Sequence, residues 1–483
     1  MITNRSIANT AVRTKFVRGA AFAFTFLCLT LLATSLSAQT TYTWNQTGTA
    51  SWATSTNWTP TRTTPATNDV LVFNNGATTI VTAVPMQTIG QLSVSGNTNV
   101  TLQSAAAVTL TISGGTGTDL SVASGSQLNA SATAAANAVT ISVATGATGS
   151  ISGSMTFTGF TGGTAHKLTA VDASSITFQN GSVFTAGTLF SGNAFGTTAL
   201  NSVVFASGSQ YVAVAGSNPF GAAQPSSVVV FQTGSLYKNA GGGPAFSGRT
   251  YANFEQSSGT ASVTGTAAVV MDNLTVSGGT LNFNMTATPG HAIKGNISVA
   301  AGATLNFNPA SAGTVNLNGS AVQSITNAGT LTVSTANETL NISNANGVTL
   351  NSNVTLANGA LFLTTGNITT GANTLSIGSA ATVSRTNGYV VGNLKKTFAA
   401  TGSKTFEVGT ANGYSPVTAN VTAGTGDITV SATQGPQPNM VASTSLQRFW
   451  TLTATGITAD LTFQYLAGDV LGNENIYKVF RKN

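Results

Sequence analysis

A short phrase recurs through most of this chain: an apolar-polar-apolar arm, two or three small residues that often include glycine, then a second alternating arm. Alternation with a period of two sends successive side chains to opposite faces of an extended strand, so the phrase reads as two strands joined by a tight turn. The clearest copies run from Leu274 to Phe283 and from Ile297 to Phe307, which places Phe283 and Phe307 24 residues apart. Related phrases start at Leu92, Leu120, Ile141, Ile176, Val203, Val229, Val315, Leu331, Val354 and Leu375, and from Ile297 onward the starts are separated by 18, 16, 23 and 21 residues. Repetition at this period is the mark of a solenoid.

One coil of about 20 residues buries four or five side chains worth roughly 1.5 to 3 kcal/mol each. Ordering it costs roughly 1 to 2 kcal/mol per residue. A single coil therefore cannot stand alone, and stacking, with caps at the ends, is what makes the array stable. The sequence predicts an all-β protein with a parallel β-helix over residues 86–385, of roughly 13 or 14 coils and roughly 65 Å long at about 4.8 Å per coil. No amphipathic helix is visible after Ala38. A β-sandwich array is the structural alternative, because spacings of 28, 35 and 45 residues interrupt the period.

Charge is scarce: 17 Lys and Arg and 11 Asp and Glu in 483 residues. With 41% apolar residues the chain is too hydrophobic for disorder, and the scarcity excludes a phosphate-binding stripe, hence a nucleic-acid partner. Arg5, Arg13, Lys15 and Arg18 precede an apolar run from Ala20 to Leu36 that ends in Ser37-Ala38-Gln39, the form of a secretory signal peptide over residues 1–38. Its removal leaves 13 basic and 11 acidic residues and no membrane span. The one cysteine, Cys28, lies inside this leader, after Phe26-Leu27 rather than the small residue lipidation requires, so the mature chain is expected to have no disulfide or thiolate metal site.

Three of the four tryptophans, Trp44, Trp52 and Trp58, fall at the start of the mature chain and predict an N-terminal cap over residues 39–85. Charge density rises beyond Arg385, where a domain boundary is expected. Residues 386–483 read as seven or eight short strands, among them Tyr389–Asn393, Lys396–Phe398 and Ile476–Phe480, which fits a β-sandwich of immunoglobulin-like size.

Trp44, Trp52, Asn57-Trp58, Pro65, Asp69-Val70 and Phe73 resemble the opening of bacterial secreted β-strand-repeat proteins, which include autotransporter passenger-like chains and large surface adhesins. Tyr389 to Gly392, Phe406 to Gly409, Tyr414 to Val417 and Arg448 to Leu452 are similar to the module that follows such repeats. The resemblance implies architecture and a secreted or outer-surface location, and it brings no common catalytic motif. It also implies a following sorting domain or membrane barrel, so a chain that stops at Val479-Phe-Arg-Lys-Asn483 is expected to be a piece of a longer surface protein, the alternative being a released chain.

The function expected is that of a non-enzymatic surface or matrix rod with no cofactor, whose partners are surface polysaccharide or other cell-surface molecules. The alternative is a polysaccharide-active, pectin-lyase-like β-helix enzyme or a carbohydrate-binding surface protein. Such an enzyme needs clustered acids, with a Lys or Arg, whereas Asp119, Asp172 and Asp272 are isolated in sequence. Tyr237, Lys238, Arg249, Tyr251, Phe254 and Glu255 surround Gly241-Gly-Gly243 and are the candidate glycan contact, by aromatic stacking with an Arg/Glu clamp. Gly114-Gly-Thr-Gly-Thr-Asp119 begins like a calcium-binding nonapeptide, but Leu120 comes one place early and no tandem copy follows. His166 with Lys167 and His291 with Lys294 have no neighbouring acid, so no catalytic or metal residue is assigned.

Overall fold

The corner between the two arms of the phrase is built alike in successive coils. Gly208 and Gly234 turn the chain at φ of +79° and +88°, a left-handed conformation that a Cβ disfavours. The buried serine after each then donates its hydroxyl three residues back, Ser209 to the Ala206 carbonyl at 2.6 Å and Ser235 to that of Gln232 at 2.7 Å. That bond closes the corner where strand pairing stops.

Repeated around the axis, these corners produce an all-β chain, a parallel β-solenoid of about 14 turns. The structure, a computed structural model, describes residues 39–287 and 289–480; the predicted leader, with Cys28, lies outside the described residues. Three parallel ladders run along the N-terminal half. Ladder A stacks Thr41–Trp44, Val70–Phe73 and their successors up to Val229–Phe231. Ladder B begins at Gly48–Ser51 and Thr78–Thr82, and ladder C comprises Gln87–Ile89, Val108–Ile112, Val139–Val143 and Lys167–Ala170. In the C-terminal half ladder B continues, accompanied by ladder D, from Thr260–Gly265 to Thr330–Val333, and ladder E, from Val270–Met271 to Thr382–Arg385.

The change of ladders is a slip of the repeat by one face. Up to Leu236 the two arms of the phrase lie on ladders A and B, the copy at Ile141 excepted, which lies on C and A; from Asn253 to Phe307 they lie on B and D, and the copies at Val354 and Leu375 lie on B and E. One short coil makes the change, since Leu236–Asn239 pairs with Asn253–Gln256 at an offset of 17 residues, against 20 and 23 in the next two coils. The slip also corrects the reading of the 18- and 16-residue intervals. Val315 lies on ladder E of the coil that Ile297 opens, and Leu331 on ladder D of the next. Those intervals are parts of coils, because every arm alternates and periodicity alone does not name its ladder. The 24-residue spacing of Phe283 and Phe307 is a true coil, with the two paired and their rings 5.4 Å apart.

Inward side chains stack from coil to coil. Phe178, Phe205 and Phe231 do so on ladder A at 4.5 and 4.9 Å, and Phe184, Tyr211, Tyr237 and Phe254 on ladder B at 5.4, 5.2 and 5.5 Å. Each such pair contributes about 0.5 to 1.5 kcal/mol beyond its buried area. At the N-terminal end Trp58–Thr59 pairs antiparallel with Thr41–Trp44, and Trp44, Trp52 and Trp58 close around Phe73. Their indole N–H groups donate to Thr79, Gln87 and the Trp52 carbonyl. The expected cap is thus the first coil itself, already on ladders A and B.

Ladder B also crosses the boundary expected at Arg385, since Ile368–Ile377 pairs parallel with Val390–Phe398, and Val390 in turn with Val408. Beyond it the pairing becomes antiparallel in two three-stranded layers. One comprises Val390–Phe398, Gly426–Gln434 and Arg448–Ala454, the other Gly402–Phe406, Val417–Gly424 and Ile457–Phe463. Trp450 meets Phe463 between them at 5.0 Å. The strands predicted at Tyr389–Asn393 and Lys396–Phe398 are one strand, and the one predicted at Ile476–Phe480 does not form: a 3-10 turn, Glu474–Ile476, precedes an exposed Val479 and Phe480. Too few apolar neighbours reach that segment to bury it.

Candidate functional site

The cluster read as a glycan contact lies at the one-face slip, and its aromatic half points inward. Tyr237 is 1% exposed and Tyr251 2%. The Tyr237 ring is held between Tyr211 and Phe254, and Tyr251 packs on Phe220, Tyr237 and Phe246. Neither ring has a face free for a sugar, so their assignment to glycan stacking is corrected: they are core. The Tyr251 hydroxyl donates to the Ala245 carbonyl at 2.6 Å, whereas that of Tyr237 has no partner. Burial raises both phenols. Phe254 is fully buried. Lys238 and Glu255 sit on the outward side of adjacent ladder B strands, 3.3 Å apart. Arg249 is bound to the Ser247 carbonyl at 2.9 Å and lies over the Phe220 ring. Arg249 and Glu255 thus bind different neighbours within the protein.

Two of the three isolated acids, Asp119 and Asp172, are occupied by backbone amides. Asp119 Oδ1 accepts from the Gly115 N–H at 2.7 Å and from Gln91 Nε2 at 3.1 Å, while Oδ2 accepts from the Thr148 N–H at 2.8 Å. The glycine-rich phrase that begins like a calcium loop is therefore a corner pinned by its own aspartate. Asp172 accepts from the Gly146 N–H at 2.6 Å. Asp69 forms a buried pair with Arg62 at 2.7 Å.

Both histidines are buried and bound to the backbone. His166 Nδ1 accepts from the Val139 N–H at 3.0 Å and its Nε2 faces the Thr158 carbonyl at 3.1 Å. His291 Nδ1 accepts from the Val269 N–H at 3.2 Å. Desolvation lowers both, His291 to about 4. Among the described residues no group of three or more His, Cys, Asp or Glu is placed to hold a metal ion, and no helix is long and apolar enough to cross a membrane.

Two features are absent from the sequence reading. The first is Glu338, 1% exposed on the inward side of ladder E, which lines a closed cavity of about 10 Å³ with Phe307, Val315 and Leu331 among its neighbours. Gly313 pairs with it on the coil before, where a Cβ would stand 2.6 Å from the Met285 carbonyl. Burial pushes its carboxyl up to about 8, offset only in part by the Val315 and Thr339 backbone.

The second is an open groove of about 600 Å³ along the rod beside ladder B, from the Thr233-Gly234 turn to Ser320. Its middle is made by Asn253, Asp272, Asn273, Lys294 and Gly295. Asp272 and Lys294 directly follow Met271 and Ile293, which pair on ladder E, so the acid and the base come from adjacent coils. No ion pair or side-chain hydrogen bond engages either group. Their spacing of one coil is the signal the sequence carries; it becomes readable only with the ladder assignment in hand.

Comparison with protein families, with curated proteins and with solved structures gives no match.

Proposed function

We propose that this chain is an exported, non-catalytic rod of a cell surface or matrix, adhesin-like in the sense of the proteins its sequence resembles, and that it makes many weak polar contacts. The observation that carries the reading is the repetition of outward amide and hydroxyl side chains bonded from coil to coil: Asn99 to Asn129 at 2.9 Å, Asn253 to Asn273 at 2.7 Å, Asn316 to Asn341 at 2.8 Å and Asn306 to Thr332 at 2.9 Å. Such ladders hold the same polar groups in register over many coils, the arrangement that gains strength by multiplicity. Charge is spent on structure in parallel, in the Asp119 corner and in the Arg62–Asp69 and Arg448–Asp469 pairs. The apolar leader and the lack of cysteine beyond it support export and a secreted or outer-surface location.

The finer assignment of residues 386–483 to an immunoglobulin-like sandwich belongs to the same proposal. Two antiparallel layers support it; the parallel pairing of Val390 with Val408 ties them to the rod.

One observation favours the second reading, a polysaccharide-active enzyme: the free acid and base of Asp272 and Lys294 on adjacent coils. A lyase or hydrolase needs further groups around the bond that breaks, and Asn and Ser complete this lining instead. Incubating the purified chain with polygalacturonate, alginate, xylan and dextran separates the two. The rod reading expects no new reducing ends and no unsaturated products; turnover lost in Asp272→Ala overturns it.

A further inference from the structure

The groove beside ladder B has a satisfied floor and an unsatisfied rim. On the floor Asn253 Nδ2 donates to the Ser235 carbonyl at 2.9 Å, Asn273 Nδ2 donates to Asn253 Oδ1 at 2.7 Å, and Asn273 Oδ1 accepts from the Asn296 N–H at 2.7 Å. These amides are fixed by one another. At Gly295 a Cβ would stand 2.3 Å from Asn273 Oδ1 and 2.8 Å from the Asp272 carbonyl, so the chain passes over the floor only as glycine. The corners lengthen along the rod, from Asp272 alone, to Lys294 through Asn296, to Asn318 through Val322. That progression leaves low ground over the first coils and a raised edge at Asn318 and Ser320. On the rim the side chains of Asp272, Lys294, Asn318 and Ser320 make no hydrogen bond within the protein.

We propose that this groove binds an extended, uncharged polysaccharide chain lying along the rod axis. The proposal rests on the surface-rod reading and names the ligand class and site for it. The lining contains no apolar side chain, which a protein partner requires at the centre of its footprint. It carries one positive and one negative charge, so it offers nothing to a nucleic acid, and Asp272 opposes a polyuronate. Paired hydroxyls on a sugar ring suit a carboxylate that accepts two hydrogen bonds, and the Lys294 ammonium donates to hydroxyl or ring oxygens. The groove spans five successive corners, and coils about 4.8 Å apart present a polar group at close to the repeat of an extended pyranose chain. Without an aromatic platform the contact is weak at each sugar and depends on length.

The test is affinity electrophoresis of the whole chain through gels containing dextran, xylan or a mixed-linkage β-glucan, with polygalacturonate as the charged comparison. Retardation by at least one neutral polymer and none by polygalacturonate is expected. The double variant Asp272→Ala with Lys294→Ala is expected to weaken it at least five-fold, and Asp172→Asn, on a distant coil, to leave it unchanged. Far-ultraviolet circular dichroism and melting of each variant check the fold. Independently, Asn318→Cys carries an environment-sensitive dye as the sole label on a chain without the leader, and its emission should shift on adding the retarding polymer. Retardation that survives the double variant, or no emission change at Cys-labelled 318, overturns the groove while leaving the surface-rod reading standing. No retardation in any neutral gel overturns the groove outright, and the rod reading is then judged by cell-surface binding alone.

Discussion

His166 and His291 occupy the same place in different coils. Each ring stacks directly on the coil before, its Nδ1 taking the N–H of a valine, Val139 or Val269, and each lies against a phenylalanine, Phe157 at 5.7 Å or Phe283 at 5.1 Å. His166 leads into ladder C and His291 begins ladder E, while Phe157 is on ladder B and Phe283 on ladder D. The shared environment fixes the equivalence of the two frames: A, B and C before the slip correspond to B, D and E after it. It also explains both histidines as neutral plugs that satisfy a backbone amide inside the rod.

That role predicts acid sensitivity. A histidine whose folded value is lowered stabilises the fold fully above its ordinary value, and the stabilisation is lost as pH falls. For His291 the window runs from 6.5 down to about 4, a loss on the order of 3 kcal/mol at about 1.4 kcal/mol per pH unit. Thermal melts between pH 7 and pH 4 in a Glu338→Gln background should show a falling midpoint. His291→Gln, which keeps an acceptor, should flatten the fall; an unchanged slope would rule the plug out.

Glu338 predicts the opposite trend. An acid raised in the fold is neutral there, so stability is full below its ordinary 4.5 and is lost as pH rises to about 8. The loss is on the order of 5 kcal/mol by the same conversion. Between pH 4.5 and 6.5 the opposite slopes of His291 and Glu338 cancel, and stability declines on either side of that window. Glu338→Gln should remove the decline on the alkaline side, measured by urea midpoints at pH 6 and pH 9; equal declines in both proteins would contradict it.

Tyr237 separates core from surface. Its buried hydroxyl has no partner, so Tyr237→Phe should leave the melting temperature unchanged or raise it. Tyr237→Ala should cost about 3 to 5 kcal/mol through the gap left between Tyr211 and Phe254. A Phe variant as damaging as the Ala variant would mean the hydroxyl bonds something inside the rod.

Part of this is legible in the sequence. Leu236-Tyr-Lys-Asn239 alternates, and the alternation that turns Lys238 outward turns Tyr237 inward; the coil register at Phe283 and Phe307 follows the same rule. Glu338, Leu340 and Ile342 alternate too, so an inward acid is readable there. The groove is not, because Asp272 and Lys294 meet only after the one-face slip decides which corner each occupies. The C-terminal count fails at Ile476–Phe480, where an alternating segment has no layer to pair with.

Arg448 ties the end of the chain to the antiparallel layers. It holds Asp469 at 2.7 Å, Thr410 at 2.9 Å, Ser415 at 3.0 Å and Gln434 at 2.8 Å with its side chain fully buried. Burial alone would raise Asp469, yet the bonds from Arg448, Gln434 and the Leu466 amide bring it below the usual carboxylate value. Arg448→Ala strands that carboxylate and should cost about 3 to 5 kcal/mol. Limited proteolysis should then cut after residue 434 sooner than in the parent chain; equal cutting rates would contradict the tie.

The central claim, weak polar contacts multiplied along and between rods, is tested by comparing binding of single and clustered rods to polysaccharide-coated surfaces. Biotinylated rods should bind weakly alone, gain roughly 100-fold or more when clustered on streptavidin, and release no soluble sugar. Tight binding by the single rod with no gain on clustering, or release of sugar into solution, would contradict the account.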